Sequence, residues 1–256
     1  MSKSAVEECS LRYDAAAERF ESADVGSANV NVAIRSPIVY VENWVKRTAT
    51  KDQVFLEVGC GSGYFSMFLA QHAKVFGIDI SEKSIEFAKR RATGDSQFSV
   101  ADVQRLSFSD SMFDLVVSLG NLSYVDKEKA LREMSRVLKP NGAIFIVDTL
   151  GNNPILNLNR RVKTALKLKP KMFLNTVLKV DDFALFQRNF RHVEINYFDL
   201  LTVFLIPLGW MGRFQVVSGA VVNVAAKLDQ LLFKIPFLRK FAFKVVIQLK
   251  NPIYEN

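Results

Sequence analysis

Five short apolar runs, each separated from the next by an amphipathic stretch, constrain the fold of this chain most. They are QVFLEV (53–58), KVFGID (74–79), FSVA (98–101), FDLVVSL (113–119) and AIFIVD (143–148). Nearly continuous apolar character suits strands covered on both faces, not strands with one wet side. The stretches between them carry helical spacing. YFSMFLAQHA (64–73) places Phe65, Phe68 and Leu69 on one face. SEKSIEFAKRRATG (81–94) opens at a capping Ser81 and closes at Gly94. DKEKALREMSRVLKPNG (126–142) opens at Asp126, and Lys139-Pro140-Asn141-Gly142 reads as a stop-and-turn. The alternation predicts βαβ units, hence an α/β fold with a Rossmann-like, mostly parallel sheet and helices on both faces.

Residues 4–21 and 37–48 predict two helices lying over the carboxyl edge of that sheet as an N-terminal lid. Beyond the core, NRRVKTALKLKPK (159–171) reads as a basic helix up to Pro170 and VDDFALFQRNF (180–190) as a further helix. RHVEINYF (191–198) and AFKVVIQLK (242–250) read as strands. The 256 residues thus divide as one domain: a lid (1–50), a core (51–150), and substrate-side helices with the last two strands (151–256).

With 49% hydrophobic residues and 21 phenylalanines the chain can bury a large core, which excludes a disordered protein. Cys9 and Cys60 form neither a disulfide framework nor a metal-ligand pair, so a reducing cytoplasm is the expected compartment. MSKSAVEECSLRYD has no apolar stretch of signal-peptide length. The net charge of +8 is uneven: residues 1–150 hold 18 Lys/Arg against 20 Asp/Glu, and residues 151–256 hold 16 against 6. A basic second half suits nucleic acid, anionic lipid or an anionic substrate, and equally a solvated face. Residues 200–226 are apolar, but Pro207, Gly209, Gly212 and Arg213 interrupt them well short of the ~20 residues that span a bilayer. In the helix expected over VVSGAVVNVAAKLDQLLFK, Val217, Val221, Val224, Leu228, Leu231 and Leu232 share one face. That face either packs on the sheet as a cap or, with its basic flanks, meets a lipid-linked substrate and the membrane interface.

The chemical signal begins at Glu57-Val58-Gly59-Cys60-Gly61-Ser62-Gly63, between the first strand and the first helix. Glycines there let a ligand approach backbone where a Cβ would clash. The spacing lacks both the third glycine of a dinucleotide fingerprint and the Gly-Lys-Ser/Thr of a P-loop. Glu57 would repel a pyrophosphate and suits a cationic ligand. Asp79 ends the second strand, where an acid can accept both ribose hydroxyls, and Asp102 ends the third, where a carboxylate can take an adenine amino group.

VFLEVGCGSGYFSMFLA, VFGIDIS, FSVADVQRLSFSDSMFDLVVSLGNLSYV and ALREMSRVLKPNGAIFIVD together resemble the successive motifs of class I S-adenosylmethionine-dependent methyltransferases, and more narrowly the type 11 small-molecule group. The resemblance covers roughly residues 50–150. It implies a seven-stranded sheet whose last strand is antiparallel, which AFKVVIQLK would supply, and S-adenosyl-L-methionine as cofactor. By its pattern Glu57, Gly59, Cys60, Gly61 and Gly63 lie along the methionine moiety, Asp79 and Ile80 at the ribose, and Asp102 and Val103 at the adenine. Ser118 and Leu119 would pass beneath the methyl, and Tyr13 in RYDAAAERF is a lid residue. Asn141-Gly142 stands for a more usual Gly-Gly. The Asn/Asp-Pro-Pro-aromatic motif of base methylation is missing from Ser118-Leu119-Gly120-Asn121-Leu122, which disfavours a nucleic-acid acceptor. The implied activity is methyl transfer to a small-molecule or lipid- or glycan-linked acceptor; the alternatives are a nucleic-acid methyltransferase and a non-catalytic binding module.

Methyl transfer is chiefly a matter of alignment, worth up to ~7–11 kcal/mol. A base is needed only where the nucleophile must lose a proton. His72 and His192 both read as structural. Tyr13, Tyr124, Asp126, Tyr197 and Asp199 are polar candidates for a pocket, each read first as a cap or a core hydroxyl, and none is assigned as base.

Overall fold

Along each central strand, side chains alternate between two apolar layers, as the twofold repeat of a strand requires. In β1 (Val54–Val58), Leu56 and Val58 enter one layer and Phe55 the other. In β5 (Leu138–Thr149), Ile144 and Ile146 go one way, and Ala143, Phe145 and Val147 the other. The computed structural model describes residues 11, 13–15, 17, 35–166, 177–205 and 219–253. The remaining strands are β2 (Lys74–Asp79), β3 (Ser96–Val100), β4 (Phe113–Leu119), β6 (Phe190–Phe198) and β7 (Lys244–Pro252). They form one seven-stranded sheet in the order β3-β2-β1-β4-β5-β7-β6. All neighbours pair in parallel except β7, which runs antiparallel to both β5 and β6.

The helices cover both faces. On one side lie α1 (Arg35–Thr48), through Val41 and Val45, and α2 (Tyr64–Ala70), through Leu69. α3 (Glu82–Arg91) packs through Ile85 and Ala88 on Phe98. On the other side lie α4 (Lys127–Val137) and, through Phe183 and Phe186, α6 (Phe183–Asn189). α5 (Pro154–Ala165), α7 (Gly219–Leu232) and the short α8 (Pro236–Arg239) follow strand ends at the carboxyl edge. Ser81 caps α3 by accepting from Ser84 N–H, and Asp126 caps α4 by accepting from Glu128 and Lys129 N–H.

Two expectations need correction. α1 lies on a face of the sheet rather than over its edge, because the Val41/Val45 spacing offers a stripe that the sheet buries and Trp44 stacks 4.8 Å from Phe145. Of residues 4–21, only a helical fragment including Tyr13 and Asp14 is described, and this does reach the edge. The segment Lys139–Gly142 does not stop the chain ahead of the strand. It belongs to β5 and is absorbed as a bulge, the register jumping between Phe113↔Leu138 and Leu115↔Ala143. For α7, where the sequence leaves two alternatives open, the buried positions are Val222 and Asp229, with Phe233 just beyond. Asp229 accepts from the N–H groups of Leu200, Leu201 and Thr202 and from the Thr202 hydroxyl, which fixes the helix's rotation. The stripe Val221, Val224, Leu228 and Leu231 therefore faces outward; Val217 lies outside the described residues.

Phe145 is fully buried at the centre of β5. Phe145→Ala should destabilise the protein by roughly 3–5 kcal/mol, read as a lowered denaturation midpoint.

Candidate active site

With both faces of the sheet buried, polar chemistry is left to the strand ends, and a cavity opens at the carboxyl edge where the order turns between β1 and β4. Leaving β1, the chain takes left-handed backbone at Gly59 (φ 67°), Gly61 (φ 52°) and Gly63 (φ 82°), conformations that disfavour a side chain. A Cβ at Gly59 would also collide with the Asn121 amide.

Asn121 sits there because its amide nitrogen donates to three backbone carbonyls: Val58 at 2.9 Å, Leu119 at 3.2 Å and Gly59 at 3.3 Å. Three acceptors converging on one donor position make a cradle suited to an ammonium. Beside it, the Asp79 carboxylate accepts from Gly61 N–H and Ser81 N–H, each at 2.9 Å. Burial pushes its pKa up, and those backbone donors hold it down. Asp14 extends the wall, accepting from the Ser81 hydroxyl at 2.5 Å. Tyr13 and Tyr124 meet edge to face at 5.9 Å across the opening.

A second cavity, of about 190 Å³, lies at the ends of β4, β5 and β7 and shares Tyr124 with the first. Gly120, Asp148, Arg160, Phe243 and Lys244 line it. Asp148 is buried, which raises its pKa; it accepts from the Ser123 N–H and hydroxyl and from Thr149 N–H.

Residues 56–146 match the family model described as a methyltransferase domain. That segment holds the motifs that resemble class I S-adenosylmethionine-dependent methyltransferases. Over 153 residues it is 31% identical to the ubiquinone/menaquinone biosynthesis C-methyltransferase UbiE of Francisella tularensis subsp. novicida, a match spanning 54% of this chain and 60% of that relative. It is 31% identical over 118 residues to the O-methyltransferase cnsE of Penicillium expansum, covering 43% of each chain. The chain thus matches less than two thirds of the length of these curated relatives. Among solved structures, the putative methyltransferase bound to the Trm112 activator of Haloferax volcanii has the same fold at 18% identity, with a TM-score of 0.61, covering 94% of this chain and 98% of that one. Geranyl diphosphate C-methyltransferase of Streptomyces coelicolor superposes with a TM-score of 0.58 at 16% identity, covering 84% and 79%.

Within this methyltransferase fold the residues singled out by sequence separate into two groups. Tyr13, Gly59, Asp79, Ile80, Val103 and Ser118 line the first cavity. Glu57, Cys60, Gly61, Gly63, Asp102 and Leu119 do not, although the Leu119 carbonyl joins the cradle. Asp102 is drawn back into its own turn, accepting from the backbone and side-chain amide of Gln104 at 2.9–3.1 Å. Glu57 lies beneath the glycine loop, taking the Ser66 hydroxyl as donor. Asp126 is a helix cap. Sequence reasoning missed the carbonyl cradle at Asn121 and the Asp148–Arg160–Lys244 group. For the latter, a signal was present in Asp148, which ends β5 as Asp79 ends β2.

Burial raises the Glu57 carboxyl to about 8 from its ordinary 4.5, outweighing the Ser66 hydrogen bond. A carboxyl whose folded pKa is raised binds more protons folded than unfolded, so stability falls as pH rises through that window. Glu57→Gln keeps the shape without the titration. Between pH 5 and 8 its unfolding free energy should fall with pH less steeply than the wild type's, by up to about 1.4 kcal/mol per pH unit, in denaturant titrations.

Proposed function

We propose that this protein is an active S-adenosylmethionine-dependent methyltransferase that methylates a small or lipid-linked acceptor. The cradle of three carbonyls beside Asp79 carries the reading. When bound, the cofactor supplies a sulfonium-borne methyl group. The chain's residues bind and orient. The carbonyls of Val58, Gly59 and Leu119 receive the ammonium as Asn121 gives up its bonds to them. Each Asp79 oxygen already accepts one N–H and keeps a lone pair for a ribose hydroxyl. Ala101, Val103 and Met134 offer the adenine an apolar slot, while the Asp102 carboxylate is engaged by Gln104. Tyr13 and Tyr124 close the open side and exclude water. Relatives named for ubiquinone/menaquinone biosynthesis support a small organic acceptor over a macromolecule.

Calorimetry should show one S-adenosylmethionine or S-adenosylhomocysteine bound per chain. Asp79→Ala leaves ribose hydroxyls unpaired at roughly 1–3 kcal/mol, so affinity should fall about ten- to a hundredfold. Unchanged affinity in this variant would remove Asp79 from the site, and binding of NAD in place of either ligand would sink the assignment.

Peripheral membrane contact is the second part of the proposal. Ile155, Leu158, Val162 and Leu166 on and just beyond α5, and Val221, Val224, Leu228 and Leu231 on α7, form two exposed apolar stripes. Phe204 and Phe237 are exposed as well, with Lys234, Arg239 and Lys240 nearby in the chain; Trp210, Arg213 and Phe214 lie outside the described residues. Among the described residues no helix is long and apolar enough to cross a membrane. Stripes of this kind with basic neighbours suit the headgroup region of an anionic bilayer, each basic residue adding about 1 kcal/mol. The protein should co-sediment with anionic vesicles at low salt, weakly at high salt, and not with neutral ones. No pelleting with anionic vesicles at low salt would leave these stripes without a membrane role.

A further inference from the structure

The second cavity holds two cations whose partners do not match them. Lys244, at the start of β7, is partly buried, and among the described residues its ammonium has no hydrogen bond or ion pair. Its close neighbour is the Phe243 ring, 5.7 Å away. The nearest carboxylate in the cavity, Asp148, is committed to Ser123 and Thr149. Asp199 also acts on Lys244 but opens onto a separate cavity of about 310 Å³ with Ser36 and Lys227. Arg160 uses one donor on Asn157 at 2.7 Å, and a guanidinium has five. Burial lowers the pKa of both cations; Asp148 and Asp199 oppose this at Lys244, and Tyr124 opposes it at Arg160. Such groups are costly to leave without an anion.

Two observations fix the kind of anion. The lining carries Arg160 and Lys244 against Asp148, so a single negative charge balances it. Its walls include Tyr124, which also lines the cofactor cavity, Phe243, and the backbone at Gly120, which follows β4 directly and lies between Ser118 and Asn121 of the cofactor cavity. We infer that Lys244 and Arg160 form an anion subsite for the acceptor, holding one ionised ring or enol oxygen, a phenolate or enolate, beside the segment Gly120–Tyr124. Charge-assisted hydrogen bonds from both cations stabilise that ion. The acceptor hydroxyl then sheds its proton to solvent on binding, and the site works without a side-chain base. This inference rests on the methyltransferase reading, since it assigns the cavity next to the cofactor to the acceptor.

The probe is 4-nitrophenol, whose anion absorbs in the visible, titrated into the protein saturated with S-adenosylhomocysteine. The bound phenol should ionise about one pH unit lower than the free one, a tenfold preference for the anion. Lys244→Met and Arg160→Met should each abolish that shift while retaining S-adenosylhomocysteine affinity and a cooperative melt, and Lys244→Arg should restore it. Arg160 lies on a helix outside the sheet, so its variant tests the idea even if Lys244→Met fails to fold. Bound S-adenosylhomocysteine with no nitrophenolate shift overturns the subsite alone. Equal shifts in wild type and both methionine variants, or tighter binding of the doubly charged phenyl phosphate, overturn it too. Failure of S-adenosylhomocysteine to bind the wild type instead sinks the cofactor reading.

Discussion

The sheet is covered on both faces, and the rest of the molecule depends on that. Leu56 and Phe55, adjacent in sequence, enter opposite layers and are both fully buried, and the same holds for Ile146 and Phe145. A strand so enclosed has nowhere along its length to keep a polar side chain cheaply. Polar groups collect where the strands end, and the carboxyl edge receives Gly59, Asp79, Gly120, Asp148 and Asp199 from five different strands. Binding chemistry at that edge follows from the core that excludes it elsewhere.

The edge divides electrically. Around the glycine loop stand carboxylates and bare carbonyls: Asp14, Asp79, and the oxygens gathered at Asn121. Glu57 lies buried below them, neutralised by its own desolvation. This half is built for a cation. Across Tyr124 the sign reverses, with Lys244 and Arg160 facing the second cavity. A sulfonium donor and an ionised acceptor placed on the two sides would attract each other along the direction in which the methyl group moves, and Coulomb energy is largest where water is excluded. Asp199 marks the border at the end of β6. It is held at φ 62°, with one carboxylate oxygen unpartnered among the described residues and its pKa raised to about 7 by burial.

What the sequence disclosed and what it hid divide by range of interaction. Ser81 and Asp126 are legible as caps because the bonds they make are to residues two or three positions ahead. β2 and β4 appear at their observed bounds because an apolar run between polar neighbours is a local fact. The glycine loop and Asp79 are readable for the same reason. Asn121 looks like one more turn residue until the β1 and β4 ends are brought side by side, when its amide bridges carbonyls 62 and 63 positions distant. Lys244 gains meaning only beside Asp148 and Arg160, which the chain reaches from three separate elements. α7 shows the converse case. Its apolar stripe is correctly read as a stripe, but one buried acid, Asp229, decides which way the helix faces. A hydrophobic pattern cannot reveal that a carboxylate outweighs four aliphatic side chains.

The place of β7 has a consequence for the order in which this molecule can form. Among the described residues β6 pairs with β7 and with no other strand, and β7 lies between it and β5. Residues 190–198 emerge some fifty positions before the segment that joins them to the sheet. Until residues 244–252 arrive, β5 presents an unpaired edge and β6 is a lone strand. Every pairing of the β1–β5 core lies within residues 54–149, which are made before either β6 or β7. The nascent chain therefore passes through a stage with the glycine loop already in place and the second cavity still unbuilt, since Lys244 is delivered by the strand that closes the sheet. In that interval the open β5 edge is available for wrong pairing with another chain.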